Sequence, residues 1–137
     1  MSTIQSFILI DDDPFNNVIC SMVIEQSIGK ADIKSFEVAE EGLLHIGNFN
    51  KDHEPAILFL DINMPGMTGW EFLERFEKFG DHIKEKISIY ILSSSIDERD
   101  KDKATFSKYI SGFISKPLRQ QTVFTIAGIS QQSVSVF

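Results

Sequence analysis

The sequence predicts an α/β fold, (βα)5, in which five parallel strands alternate with helices in three layers. Three observations lead there. Short β-rich apolar runs alternate with longer helical patterns along the chain, which is how βα units read in a sequence. The middle run, Ala56-Ile57-Leu58-Phe59-Leu60, is apolar throughout, as a strand covered on both faces must be. A length of 137 residues with 42% apolar and 24% charged residues suits one ordinary globular domain with its own core.

The first strand is Phe7 to Ile10, followed by Asp11, Asp12 and Asp13. Asp13-Pro14 makes an N-cap and first-position pair. Phe15, Val18, Ile19, Met22 and Val23 then recur at helical spacing, and Gly29 stops the helix. Cys20 lies inside that stripe and reads as a small core residue. Ile33 to Val38 alternates apolar and polar like a more exposed strand. Ala39 to Phe49 is a weaker helix, interrupted by Gly42 and Gly47. The third strand ends at Asp61, and Asn63-Met64-Pro65-Gly66 is turn chemistry. Thr68 and Glu71 have capping-box spacing ahead of a core stripe, Phe72, Leu73, Phe76 and Phe79, with Gly80 as its stop.

Ile87 to Leu92 is the fourth strand. Ser95 and Glu98 repeat the capping-box spacing before a charged fourth helix, Asp97 to Ser107, whose run Asp97 to Lys103 reads as a solvated face. Gly112 to Ile114 is a short fifth strand, ended by Lys116-Pro117. Leu118 to Ile129 is the fifth helix, with Val123, Ile126 and Ala127 on one face. The domain is expected to span residues 1–129. Residues 130–137 are then a tail with no output domain, and Ser133 to Phe137 alternates like a strand that could add to an edge.

Thirteen basic against twenty acidic residues give a net charge of −7. Such a field repels phosphate backbones and anionic membranes, so no direct nucleic-acid or membrane partner is expected. No apolar run approaches the ~20 residues of a membrane span. The N-terminal segment lacks the basic region and apolar stretch of a secretory signal. The one cysteine cannot form an internal disulfide. A cytoplasmic location is the expectation.

Two topologies compete, a flavodoxin-like order 2-1-3-4-5 and a Rossmann-like order. No G-x-G-x-x-G follows the first strand, so the second lacks its phosphate cradle. In such sheets ligands bind past the carboxyl ends of the strands, beside the switch point. Under the 2-1-3-4-5 order, strands 1 and 3 are neighbours there. Asp11, Asp12 and Asp13 follow strand 1, Asp61 strand 3, Ser93, Ser94 and Ser95 strand 4, and Lys116 strand 5. Like charges this close oppose full ionisation, and a divalent cation removes that cost. Oxygen-only ligation points to Mg²⁺ or Mn²⁺. Lys116 could balance a phosphoryl charge and Ser93 could donate to it. A carboxylate can itself act as nucleophile in forming an aspartyl phosphate.

The segments ILIDDDP, LDINMPGMTGWEFL, ILSSS and SKPL resemble the four signature segments of the response-regulator receiver domain of two-component systems. The resemblance covers about residues 5 to 129 and implies the 2-1-3-4-5 order. It implies that Asp61 is the phosphoacceptor. Asp12 would be the direct metal ligand, Asp11 a ligand acting mainly through water, and Asn63 the source of a backbone carbonyl to the same ion. Ser93 matches the hydroxyl that turns toward the acyl phosphate, and Ser94 its neighbour whose backbone N–H holds the phosphoryl oxygens. Lys116 matches the family lysine, Lys116-Pro117 a bond usually cis, and Phe113 an aromatic switch, here without a hydroxyl. The resemblance also implies a stand-alone, chemotaxis-regulator-like protein that catalyses only its own phosphorylation and dephosphorylation and is otherwise no enzyme. A sensor histidine kinase or histidine phosphotransfer protein would supply the phosphoryl group. A downstream protein would read the face of helix 4, strand 5 and helix 5.

Plainer roles suit several residues. Asp13 and Ser95 read as helix caps, and His45, His53 and His82 as surface or loop residues away from the strand ends. Two other functions fit less well. A phosphatase of the haloacid dehalogenase type needs a second acid two residues after Asp61, where Asn63 stands. A phosphorylation-independent pseudo-receiver would have lost an acid or the lysine, and none is lost.

Overall fold

A computed structural model describes residues 6–94, 98–105 and 108–127. The elements run β1 (Ser6–Ile10), α1 (Pro14–Ile28), β2 (Asp32–Phe36), α2 (Ala39–Gly47), β3 (Ala56–Leu60), α3 (Gly69–Phe76), α4 (Asp81–Lys84), β4 (Ile87–Ser93), α5 (Glu98–Thr105), β5 (Ile110–Ser115) and α6 (Gln120–Ile126). The strands form one parallel sheet in the order β2-β1-β3-β4-β5. This is the flavodoxin-like order, and it makes β1 and β3 neighbours.

The sheet has two covered faces because successive strand residues point to opposite sides. Ile8, Ile10, Leu58, Leu60, Ile89, Ile91 and Phe113 join the inner faces of α2 and α3 in one core. Phe7, Leu9, Ile57, Phe59, Leu92 and Ile114 join Cys20, Ile24, Val123 and Ala127 of α1 and the α6 end in the other. β3 is buried along its whole length, whereas edge strand β2 is largely open to solvent. That is the contrast its alternating sequence anticipates.

The punctuation works as the residues suggest. The Asp13 carboxylate accepts from the Phe15 N–H at 3.0 Å with Pro14 opening α1, and Gly29 ends it at φ +80°. Thr68 and Glu71 close a reciprocal capping box at 3.2 and 3.0 Å. Among the described residues no helix is long and apolar enough to cross a membrane.

Four expectations need correction. The apolar stripe of α1 faces outward: Phe15 is 75%, Val18 57%, Met22 53% and Ile19 42% exposed. Asn17, Cys20 and Ile24 face the sheet instead. Periodicity announces a stripe, but a helix apolar on two sides does not say which side is covered. Gly80 does not stop the third helix, which ends at Phe76 with Glu77 as cap; Gly80 caps the unexpected α4. His45 lies in α2, half-buried between the Phe36 and Phe49 rings. The expected fourth and fifth helices are α5 and α6. The last helix ends at Ile126 with Ala127 as its cap, short of Ile129. Ser95, Asp97, Ser107, Ile129 and the strand-like Ser133 to Phe137 lie outside the described residues.

Candidate functional site

The sheet carries its own ladder one residue past β1 and β3. Asp11 N–H donates to Phe36 O at 3.1 Å, and Asp61 N–H to Ile10 O at 3.0 Å. The two acids are thereby pinned side by side at the switch point. Asp12, the next residue, completes a group in which one carboxylate oxygen from each acid lies within 4.8 Å of the other two. Asp11 and Asp61 are only 4% and 6% exposed, while Asp12 is open to solvent.

Lys116 arrives from the end of β5, where its N–H donates to Ser93 O at 3.0 Å. Its ammonium lies 2.8 Å from Asp11 Oδ2 and 3.7 Å from Asp61 Oδ2. Burial alone would lower its pKa, but the Asp11 hydrogen bond and the charges of Asp61 and Asp11 together raise it. Asp61 is pushed up from the ordinary carboxylate value. Burial is the main cause, helped by the charges of Asp11 and Asp12 and opposed by the Asn63 N–H and Lys116. A group held this way resists being an anion until positive charge is added beside it. The donor set is all oxygen, two buried carboxylates and one exposed, which fits a hard divalent cation such as Mg²⁺ or Mn²⁺.

The loop after β3 is shaped by glycine. Gly66 has φ +80°, a conformation that other residues rarely adopt. Gly69 N–H donates to Ile62 O at 3.2 Å, and a Cβ at Gly69 would fall 2.7 Å from Ile62 Cα and 3.0 Å from Asp61 O. The close return holds Asn63 over the acid. The Asn63 N–H donates to Asp61 Oδ1 at 3.1 Å, and its amide donates to Ser93 Oγ at 3.3 Å. Ser93 is buried, Ser94 is exposed, and Phe113 is buried within the α2/α3 core. The Lys116-Pro117 peptide bond is cis. Asp13 caps α1, and the three histidines lie on α2, after it, and on α4, away from this pocket.

Two residues escape a reading of motifs. Asn16 Nδ2 donates to Asp11 Oδ2 at 2.7 Å, and Asn17 Nδ2 donates to Asp11 O at 3.0 Å. The available signal was two amides one turn into a helix otherwise rich in apolar residues. Cys20, one turn further, is a buried thiol whose pKa is raised to about 12, chiefly by burial and then by the Asp11 charge.

A doubly wound parallel sheet with an acid pocket at its β1/β3 switch point is the class that this geometry defines. Within it, the chain belongs to the response regulator receiver domain family, whose model matches residues 7–127. No curated protein matches. Among solved structures, a two component response regulator from Cytophaga hutchinsonii is 29% identical, covering 94% of this chain and all of that one (100%), with a TM-score of 0.81. A response regulator receiver protein from Dyadobacter fermentans is 22% identical over 87% of this chain and 94% of its own, at TM-score 0.79. The chemotaxis protein CheY4 of Vibrio cholerae is 20% identical over 90% and 95%, at TM-score 0.66. At those lower identities the last two speak for the fold.

Proposed function

We propose that this receiver domain accepts a phosphoryl group on Asp61 from a phosphohistidine and signals by a change of conformation. The carrying observation is one buried carboxylate, Asp61, with two acids within 4.8 Å and an ammonium at 3.7 Å. An Asp61 oxygen attacks phosphorus, forming a P–O bond as the P–N bond breaks, and the imidazole leaves with that electron pair. Asp11 and Asp12, with Asp61 and the Asn63 carbonyl, would hold Mg²⁺ or Mn²⁺, which when bound offsets the negative charge gathered there. Lys116 steadies the phosphoryl oxygens from the other side, and Ser93 and the Ser94 N–H donate to them.

To make that bond Ser93 turns from Asn63, and Phe113 repacks within its core. A population shift on the α5–β5–α6 face then reaches a downstream protein. The donor is a sensor histidine kinase or a histidine phosphotransfer protein. The exposed apolar side of α1 begins two residues after Asp13, at the rim of the pocket, and suits contact with a protein donor. The protein turns over no substrate other than its own phosphate, and its setting is the cytoplasm. A phosphomonoester phosphatase is disfavoured by Asn63, which cannot act as the second acid.

Intact mass after treatment with acetyl phosphate, with and without Mg²⁺, tests this. The wild-type chain gains one labile phosphoryl group only with Mg²⁺, and Asp61→Asn gains none. Equal labelling of the variant would reject Asp61 as acceptor.

A further inference from the structure

The Asp11 carboxylate is shared. Its Oδ2 accepts from Lys116 Nζ at 2.8 Å and from Asn16 Nδ2 at 2.7 Å, while Oδ1 accepts from the Asp13 N–H at 2.9 Å. In the proposed reaction Lys116 has to serve a phosphoryl oxygen on Asp61. Asp11 is almost wholly buried, so beyond the cation it would help to hold, few groups are placed to replace a donor that leaves. A buried charged acceptor stripped of a donor is costly. With Asn16 present, Oδ2 keeps one donor when the ammonium departs.

We infer that Asn16 is a positioning residue that fixes the Asp11 carboxylate and keeps Oδ2 satisfied while Lys116 passes to the phosphoryl group. The inference rests on the phosphoacceptor reading and deepens it. The same helical turn supports it a second time. Asn17 grips the Asp11 backbone carbonyl, and its own Oδ1 is buried with no partner among the described residues. An orphaned acceptor in a helix–sheet contact weakens stability. Such a local conflict is expected where a segment is shaped by a site rather than by its core. The Asn16 amide also donates to Cys20 Sγ at 3.7 Å, a longer contact than its bond to the acid.

Asn16→Leu and Asn16→Ala remove the donor with and without bulk, on a half-exposed helical position that tolerates both. Asn16→Gln keeps an amide. Labelling by acetyl phosphate at saturating Mg²⁺ is followed by intact mass, alongside calorimetric titration with Mg²⁺. Loss of one charge-assisted hydrogen bond predicts a maximal labelling rate about tenfold lower in the Leu and Ala variants. The half-saturating acetyl phosphate concentration stays near wild type, Mg²⁺ binds several-fold more weakly, and Gln recovers most of both. The inference falls if Leu or Ala labels at the wild-type rate, or if Gln is as impaired as Leu. Either result leaves Asp61 as acceptor untouched. A wild-type chain that takes no phosphoryl group overturns the parent reading and this one with it.

Discussion

The two faces of the sheet are covered by different rules. On the α2/α3 face the inward residues are the apolar ones, with Ile46, Phe72 and Phe76 fully shielded from solvent. On the opposite face α1 turns two asparagines and a cysteine toward β1 and the acid pocket, and leaves Phe15, Val18 and Met22 mostly in solvent. Burial alone does not choose between the two apolar sides of α1, since Cys20 and Ile24 fill the inner one. The inner side is set because Pro14 and the Asp13 cap fix the start of the helix directly behind Asp11, and the asparagines then bond that acid. One face is organised by its core, the other by the site it must support.

The largest effect is expected where core rules hold. Phe76 is fully buried, with its ring edge-on to Phe79 at 6.1 Å and Tyr109 at 5.8 Å, so it ties α3 to the start of β5. Phe76→Ala should cost about 3–5 kcal/mol, the range for emptying an aromatic site in a core. Urea unfolding at an unchanged m-value reads it. A loss under ~1 kcal/mol would mean that the α3 side is no better packed than α1, and the contrast would fail.

Much of this was legible in the residues. All five strands were visible, four as short apolar runs ended by a polar or turn residue and edge strand β2 by its apolar/polar alternation. The pocket was visible because its acids, serines and lysine sit directly past those strands. What escaped has physical reasons. The short helix Asp81–Lys84 spans four residues, too few to show a period. The roll of α1 is decided by hydrogen bonds of Asn16 and Asn17 to Asp11, a contact between sequence neighbours that hydrophobic patterning does not weigh. Half-burial of His45 comes from its neighbours Phe36 and Phe49, brought together by packing.

That histidine offers a smaller test on the α2 side. Burial, then the charge of Lys34, lowers its pKa from the ordinary 6.5, with Asp32 opposing and His53 adding slightly. The unfolded chain therefore binds the proton first. The stability this contributes is complete above pH 6.5 and is lost as pH falls through the folded-state value. His45→Gln should flatten the fall in melting temperature between about pH 7 and 5 by only about 1–2 °C, since the ring is partly solvated. An unchanged slope would show that the aromatic cluster imposes no such cost on a charged ring, and that the α2 side is not governed by burial at this position.

The smallest stability effect belongs to the outer side of α1, and it sharpens the comparison most. Phe15→Gln with Met22→Gln replaces two large apolar side chains, a change that in a core would unfold a domain of this size. Here both residues are already more than half in water, at 75% and 53% exposure, so little apolar surface returns to solvent. Gln also keeps good helix propensity. The double variant should therefore melt within about 0.5 kcal/mol of wild type. Labelling by acetyl phosphate should not change, because neither side chain reaches the acids. A drop of several degrees would show that these residues pack against something in the folded chain. The stripe would then be an ordinary core stripe after all, and the asparagines beneath it could no longer be said to decide how the helix is rolled.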